Sequence, residues 1–306
     1  AVALIAASDK ILEANQRDLD AARGRVSDVM LDRLALTPSR LTDMAKGMRE
    51  VAALLGIEGG GALDGSLENL HRLHSLGVRV LTLTWNGKNE LGAGNPDPDG
   101  LSPFGEKALA EMEALGVIAD LSHANPATFR GALEHSSRPL IASHSNASEI
   151  FDHPRNLFPA DRARIAQRQG IQGLNLCPYF VGDPPRLEDL VDHAAALCQT
   201  APGFAALGCD LDGIDSMPEP IRGVQDLPLL YEAVSERLGE EAAQALFFQN
   251  AYSFFHKNPL RHIYNQNVKL YQIRNITLLQ TFLHHCLKKF FQSIHTLIIL
   301  PILFFA

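Results

Sequence analysis

Long apolar runs are missing from this chain of 306 residues. Its most apolar stretch, Ile294–Ala306, is 13 residues long with a proline inside, short of the roughly 20 that span a bilayer. We therefore expect no firm membrane partner. Cysteine is scarce: Cys177, Cys198, Cys209 and Cys286 show no CxxC spacing, and a reduced, cytoplasmic setting is the expectation. An excess of positive charge is also lacking. With 27 Lys+Arg against 35 Asp+Glu the net charge is −8, so a nucleic-acid role has no electrostatic support. The first 55 residues hold no Gly-rich phosphate loop and no candidate nucleophile, and no signal peptide is visible at Ala1. The last fifty residues contain no Asp or Glu. What remains is an ordinary composition, 46% hydrophobic and 20% charged, able to bury the core of one barrel or of two smaller domains.

The most informative stretch is Asp120–Arg155. Two short apolar runs, Val117–Leu121 and Pro139–Ala142, each end at once in Ser-His, as Ser122-His123 and Ser143-His144. Between them lies a segment of helical spacing opened by Asn125-Pro126, a cap followed by a first-turn proline. Strand, helix, strand is a βαβ unit. Parallel strands put their C-terminal ends on one face, so both imidazoles are expected in one pocket.

Around this unit the pattern repeats. Short apolar runs near residues 54–58, 79–84, 117–121, 139–143, 171–176 and 204–209 alternate with helical segments at Leu67–Leu76, Phe104–Leu115, Asp161–Arg168, Leu187–Cys198 and Leu227–Phe255. Such alternation predicts a parallel sheet wrapped in helices. Polar groups close each run: Glu58, Asn86, His123, His144, Asn175 and Asp210. Polar residues at every strand end favour a (β/α)8 barrel over an open doubly wound sheet. Only six strands are read, however. Residues 1–55 read as helix throughout, with Asp9, Asp18 and Ser27 as caps and a break at Thr37-Pro38-Ser39. Gly77 is a helix stop, and Gly87–Gly100 a long loop. Residues 256–306 form a basic and apolar tail without assigned function.

Glu58, His123 and His144 make a two-histidine, one-carboxylate set that can hold a catalytic zinc and leave a position for water. Asp210 is placed to take a proton and return it to a leaving amine. Arg155, in a loop soon after His144, can clamp a substrate carboxylate. Together they describe metal-assisted amide hydrolysis. Plainer readings stand beside each. Glu58 also suits a helix cap, Asp210 and Asp212 suit a turn before Gly213, and Arg155 a surface salt bridge. Cys177 and Cys209 are expected to be buried.

Two resemblances add to this. The segment ILEANQRDLDAARG…SDVMLDRLALTPSRLTDMAKGMREVAAL resembles the N-terminal helices of gamma-glutamyl phosphate reductase, though no match to that family's nucleotide fold or catalytic cysteine follows. The segments IEGGGALDGSLENL, LGVRVLTLTWNGKNELG, GVIADLSHANPATF, RPLIASHSNA…HPRNL and LGCDLDGID resemble the membrane dipeptidase (renal dipeptidase) family of zinc peptidases, in its bacterial branch, over about residues 56–255. That resemblance implies a (β/α)8 metallo-dependent hydrolase barrel, two zinc ions and hydrolysis of dipeptides. It makes Glu58 the carboxylate that bridges the zincs, His123 and His144 ligands of the second zinc, Arg155 the substrate-carboxylate arginine and Asp210 the acid after strand eight. Trp85 stands where mammalian members carry a substrate-contacting histidine. The family's His-x-Asp motif has no counterpart, which agrees with the missing two strands. The expectation is a dipeptidase barrel lacking its first quarter, with open strand edges that favour pairing into a homo-oligomer. The alternatives are a reductase (glutamate-5-semialdehyde dehydrogenase) fragment and a non-catalytic metal-binding remnant.

Overall fold

A computed structural model of the chain describes residues 2–8, 52–75, 78–211, 213–258 and 297–302. The readings at Asp9, Asp18, Ser27, Thr37–Ser39, Gly77, Asp212 and Cys286 lie outside these residues.

The six runs read as parallel strands are β2 (Ala52–Glu58), β3 (Val78–Thr82), β4 (Ile118–Asp120), β5 (Ile141–Ala142), β6 (Ile171–Leu174) and β7 (Ala205–Leu207). Each pairs in parallel with the next. The connecting helices are α1 (Leu67–Ser75), α2 (Pro103–Leu115), α3 (Pro126–His135), α4 (Pro159–Gln167) and α5 (Leu187–Thr200). Their starts follow from local chemistry. The Ser102 hydroxyl accepts from Gly105 N ahead of Pro103, and Asn125 Oδ1 accepts from Thr128 N ahead of Pro126. Each satisfies one of the free amides of a first turn, where proline loses nothing.

Three differences from the sequence reading matter. The first is at the amino end, where Val2–Ser8 is a strand (β1), not helix, paired in parallel with β2 from Val2↔Ala52 to Ser8↔Glu58. The strand β2 likewise starts at Ala52, inside the segment read as helix. Continuous apolar runs such as VALIA carry no period, so spacing alone does not separate a buried strand from a helix. The second lies in the tail, where Leu297–Ile302 (β8) pairs antiparallel with β1 and sets Pro301 opposite Ala3. A proline is tolerated there because β8 is the edge of the sheet. The order is β7-β6-β5-β4-β3-β2-β1-β8, so the edge of β2 expected to be bare is covered.

The third difference is in the last helical stretch. It divides into α6 (Leu227–Leu238), α7 (Glu240–Gln244), a π-turn (Ala245–Gln249) and α8 (Asn250–Lys257). Gly239, at φ 90, makes the first break. The helix α8 then lies across the inner face of the sheet. Leu54, Val80, Ile118, Ile141, Ile171 and Ala206, one residue from each of β2–β7, form a buried layer with Ala251, Phe254 and Phe255 of α8. The core of the open sheet is thereby covered from within. Two other apolar clusters pack the outer helices against the strands. Cys177 and Cys209 are buried, as expected.

Candidate metal centre

The parallel register sets the site. Glu58 pairs with Thr82, Thr82 with Asp120 and Asp120 with Ile141, so the C-terminal ends of β2 to β5 lie on one face. His123 and His144 follow β4 and β5 by a few residues, and Asp210 follows β7. His123 (φ 68) and Asp210 (φ 58) both adopt left-handed backbone. That conformation is uncommon outside glycine and gathers at functional positions. The turn after β5 is set by two glycines. A Cβ on Gly173 or Gly208 would stand 2.0 or 1.9 Å from the Ser143 carbonyl oxygen, so only glycine lets β6 and β7 close on it. Beneath the turn, Asn146, Gln172 and Asn175 tie the strand ends together through buried amide bonds.

Glu58, His123 and His144 converge as expected. Their ligand atoms lie within 4.8 Å of one another, and all three residues are buried. Glu58 Oε1 is 3.0 Å from His123 Nε2 and 3.4 Å from His144 Nε2, and the two Nε2 atoms are 2.9 Å apart. The other ring nitrogens are engaged: His123 Nδ1 with Asn86 Oδ1 at 3.0 Å, His144 Nδ1 with Ser143 Oγ at 2.8 Å. Glu58 Oε1 makes no aligned hydrogen bond although it is fully enclosed. This donor set suits a divalent cation. Ligands at about 2.0–2.1 Å from a tetrahedral centre stand about 3.3 Å apart, close to the edges of this triangle. The reading of Glu58 as a helix cap does not hold, because its carboxylate faces the imidazoles.

Burial pushes the Glu58 carboxyl up, but the two imidazoles overcome this and hold it at about 2. Burial, with the Arg155 charge, pulls His123 down to about 3. On His144 burial acts the same way, yet Asp210 and Glu58 outweigh it and raise that imidazole. Asp210 is pushed up to about 6, chiefly by burial, with Glu58 adding to it.

Around the triangle stand the other residues expected at the site. Arg155 is buried over the Phe180 ring, 5.2 Å from its centroid, and its Nε and Nη2 have no partner. It is not a surface salt-bridge residue. Burial lowers its guanidinium, opposed by Asp210, Glu58 and Asp120. Asp210 Oδ1 is likewise unpartnered. Trp85, at the exposed rim, stands 6.3 Å from His123 between ring centroids. The sequence reading missed Asp120. Its Oδ1 accepts from Ser122 N and Ser143 N, and its Oδ2 from the Thr82 and Ser143 hydroxyls. A buried carboxylate with four donors, at the end of the strand before His123, is a structural hub of the site.

A model of the membrane dipeptidase family, peptidase family M19, matches residues 24–260. The chain belongs to the membrane dipeptidase family. Two uncharacterized dipeptidases of Schizosaccharomyces pombe are 34% identical to it over 196 and 201 residues, 61% of this chain and 48% of each relative. The chain thus spans about half the length of these two relatives. A solved dipeptidase described as a family M19 metallopeptidase is 28% identical at a TM-score of 0.68, covering 79% of this chain and 74% of that one. A Rhodobacter sphaeroides metallopeptidase, solved with a phosphinate mimic of the dipeptide L-Ala-D-Ala, is similar at 28% and 0.68 over 79% and 71%. A Pseudomonas aeruginosa amidohydrolase shares the fold, at 21% identity and a TM-score of 0.71 over 84% and 88%. The α/β sheet is therefore a partial barrel of the metallo-dependent hydrolase type. The family match begins inside the segment that resembles the reductase, and no comparison supports the reductase reading.

Proposed function

We propose that this chain carries a zinc-dependent dipeptidase site, built on residues 56–255, that hydrolyses the amide of small dipeptides. One observation carries the reading: Glu58 Oε1 and the two Nε2 atoms converge, enclosed, near a guanidinium with two unpartnered nitrogens and a carboxyl with one unpartnered oxygen. Glu58, His123 and His144 would hold the ion. When bound, zinc supplies Lewis acidity and brings the pKa of water to about 7.

The remaining chemistry belongs to side chains. Arg155 offers Nε and Nη2 as a fork, which suits the carboxylate terminus of a dipeptide, and its burial strengthens that contact. The Phe180 ring beneath holds the guanidinium plane in place. Asp210, with its carboxyl raised to about 6, is ionised at neutral pH and basic enough to take a proton from water. It then returns that proton to the departing amine at the same face of the site. Trp85, exposed at the rim with its ring 6.3 Å from that of His123, offers an apolar surface to a substrate side chain.

A second reading, metal binding without turnover, is favoured by one observation. The family resemblance implies two zincs, and one Glu/His/His group is present among the described residues. A single experiment separates the two. Purified protein is dialysed free of metal, reloaded with zinc, and assayed for metal content and for release of amino acids from L-Ala-L-Ala and L-Ala-D-Ala. We expect metal-dependent release that falls at least about a thousandfold in His144→Ala. Bound zinc without release in the wild-type protein would establish the second reading. No bound zinc in folded protein would defeat both.

A further inference from the structure

We propose that Asp120 is a positioning residue that fixes the ligating tautomer of His144 through the Ser143 hydroxyl. The inference rests on reading His144 Nε2 as a metal ligand, and it explains how that nitrogen is kept free of a proton.

The two histidines are held by different chemistry. His123 Nδ1 meets the amide oxygen Asn86 Oδ1, which only accepts. The proton of His123 must therefore sit on Nδ1, and Nε2 keeps its lone pair without further help. His144 Nδ1 meets a serine hydroxyl, Ser143 Oγ, which either donates or accepts. Left to itself, Ser143 would donate to His144 Nδ1 in one tautomer and accept from it in the other. In the first case the imidazole proton sits on Nε2 and blocks the metal position.

Asp120 removes the ambiguity. Its Oδ2 lies 2.5 Å from Ser143 Oγ and takes the single hydroxyl proton. The neighbouring hydroxyls agree on that direction, and they act against Glu58 Oε1 and His123 Nε2, which stand 3.4 and 2.9 Å from His144 Nε2 and would accept a proton from it. Ser122 Oγ accepts from His144 N at 3.0 Å, which leaves its own proton for Ser143 Oγ at 3.2 Å. Thr82 Oγ1 donates to Asp120 Oδ2 at 2.8 Å, and the amides of Ser122 and Ser143 hold Oδ1 at 3.0 and 2.9 Å. Asp120 is thus an acceptor on every side, and the ends of β3, β4 and β5 meet on it. With its proton committed to Asp120, Ser143 can only accept from Nδ1–H, so Nε2 carries a lone pair toward Glu58 and His123. Outer partners of metal-binding histidines act in this way, fixing tautomer and ring orientation.

The test is Asp120→Asn, which keeps shape and turns Oδ2, the acceptor for both the Thr82 and the Ser143 hydroxyls, into a donor. The amide oxygen retains the two backbone bonds, while the amide nitrogen now donates to Ser143 Oγ. Ser143 must then donate to His144 Nδ1, and the His144 proton moves to Nε2. Nitrogen-15 spectra of metal-free protein at alkaline pH, where the imidazoles are neutral, report which ring nitrogen is protonated. We expect Nδ1–H in the wild type and Nε2–H in Asp120→Asn, with His123 unchanged, and about a 10–100-fold loss of zinc affinity. An unchanged His144 tautomer in folded Asp120→Asn would overturn the proposal. Should that variant not fold, Ser143→Ala gives the second measurement. It should mix the two His144 tautomers, and Ser143→Thr should restore Nδ1–H; a pure Nδ1–H signal in Ser143→Ala would equally overturn it. Failure of the wild type to bind zinc would instead overturn the metal reading, and the tautomer result would still stand on its own.

Discussion

The two ends of the central sheet solve opposite problems with the same six strands. Toward the C-terminal ends, Glu58, His123, His144, Arg155 and Asp210 are buried, and Arg155 and Asp210 keep polar atoms without partners. Lower in the sheet, Leu54, Val80, Ile118, Ile141, Ile171 and Ala206 present only aliphatic carbon, and α8 covers them with Phe254 and Phe255. Burial without partners is costly, and burial of apolar surface is the main source of stability. The apolar layer therefore supplies the stability that the polar end consumes. That division can be tested by weakening one end at a time.

The largest effect is expected at the covering helix. Phe254 is 4% exposed and packs against Phe255 with ring centroids 5.2 Å apart. Phe→Ala changes in cores cost about 3–5 kcal/mol. Phe254 also borders two pockets at the base of the sheet, where water can enter after truncation, so we expect about 3 kcal/mol from Phe254→Ala, the lower end of that range. Urea unfolding of the metal-free protein measures it. A loss below about 0.5 kcal/mol, the size of an ordinary surface change, would mean that α8 is not the floor of the core.

Next in size is a gain at the polar end. The Asp210 carboxyl, raised from its ordinary range to about 6 by burial, binds its proton more tightly in the folded state than in the unfolded one. Its contribution is fully present below the unfolded value near 3.8 and is lost as pH rises through about 6. Above that, the buried carboxylate is a burden. Asp210→Asn should therefore stabilise metal-free protein at about pH 8 by about 1–3 kcal/mol, with the difference gone by about pH 4. Activity of the zinc-loaded protein should fall in the same variant. Equal stability of the two proteins at all pH values would show that Asp210 carries no such penalty.

The legibility of these two ends in the sequence differs for a physical reason. Glu58, His123, His144 and Asp210 each close a short apolar run, and the repeated Ser-His marks two of the runs as equivalent, so their convergence follows from parallel strand order alone. Asp120 gave no such mark. Its role depends on Thr82, which is 38 residues distant, and on Ser143, 23 residues away, and such partners emerge only when β3 and β5 flank β4. The strand Val2–Ser8 is not legible as one, because its apolar run has no period to set a strand apart from a helix. The covering role of α8 was hidden for a related reason. Leu227–Phe255 has helical spacing throughout, and only the break at Gly239 and the π-turn redirect Phe254 inward.

The smallest expected effect on stability, and the sharpest test of the division, lies at the rim. Trp85 is 37% exposed and belongs to neither apolar cluster nor buried network; its ring faces His123 at 6.3 Å. If large side chains on this face serve the site and not the fold, Trp85→Ala should alter stability by no more than about 0.5 kcal/mol. The same variant should raise KM for a dipeptide about tenfold with a smaller change in kcat, since an apolar contact of this size is worth about 1–3 kcal/mol in discrimination. The comparison is with Phe254→Ala, an aromatic truncation that should do the reverse: a large loss of stability with KM little altered in the protein that remains folded. A stability loss in Trp85→Ala equal to that in Phe254→Ala would erase the distinction between the two ends, because the rim would then be holding the fold together as well.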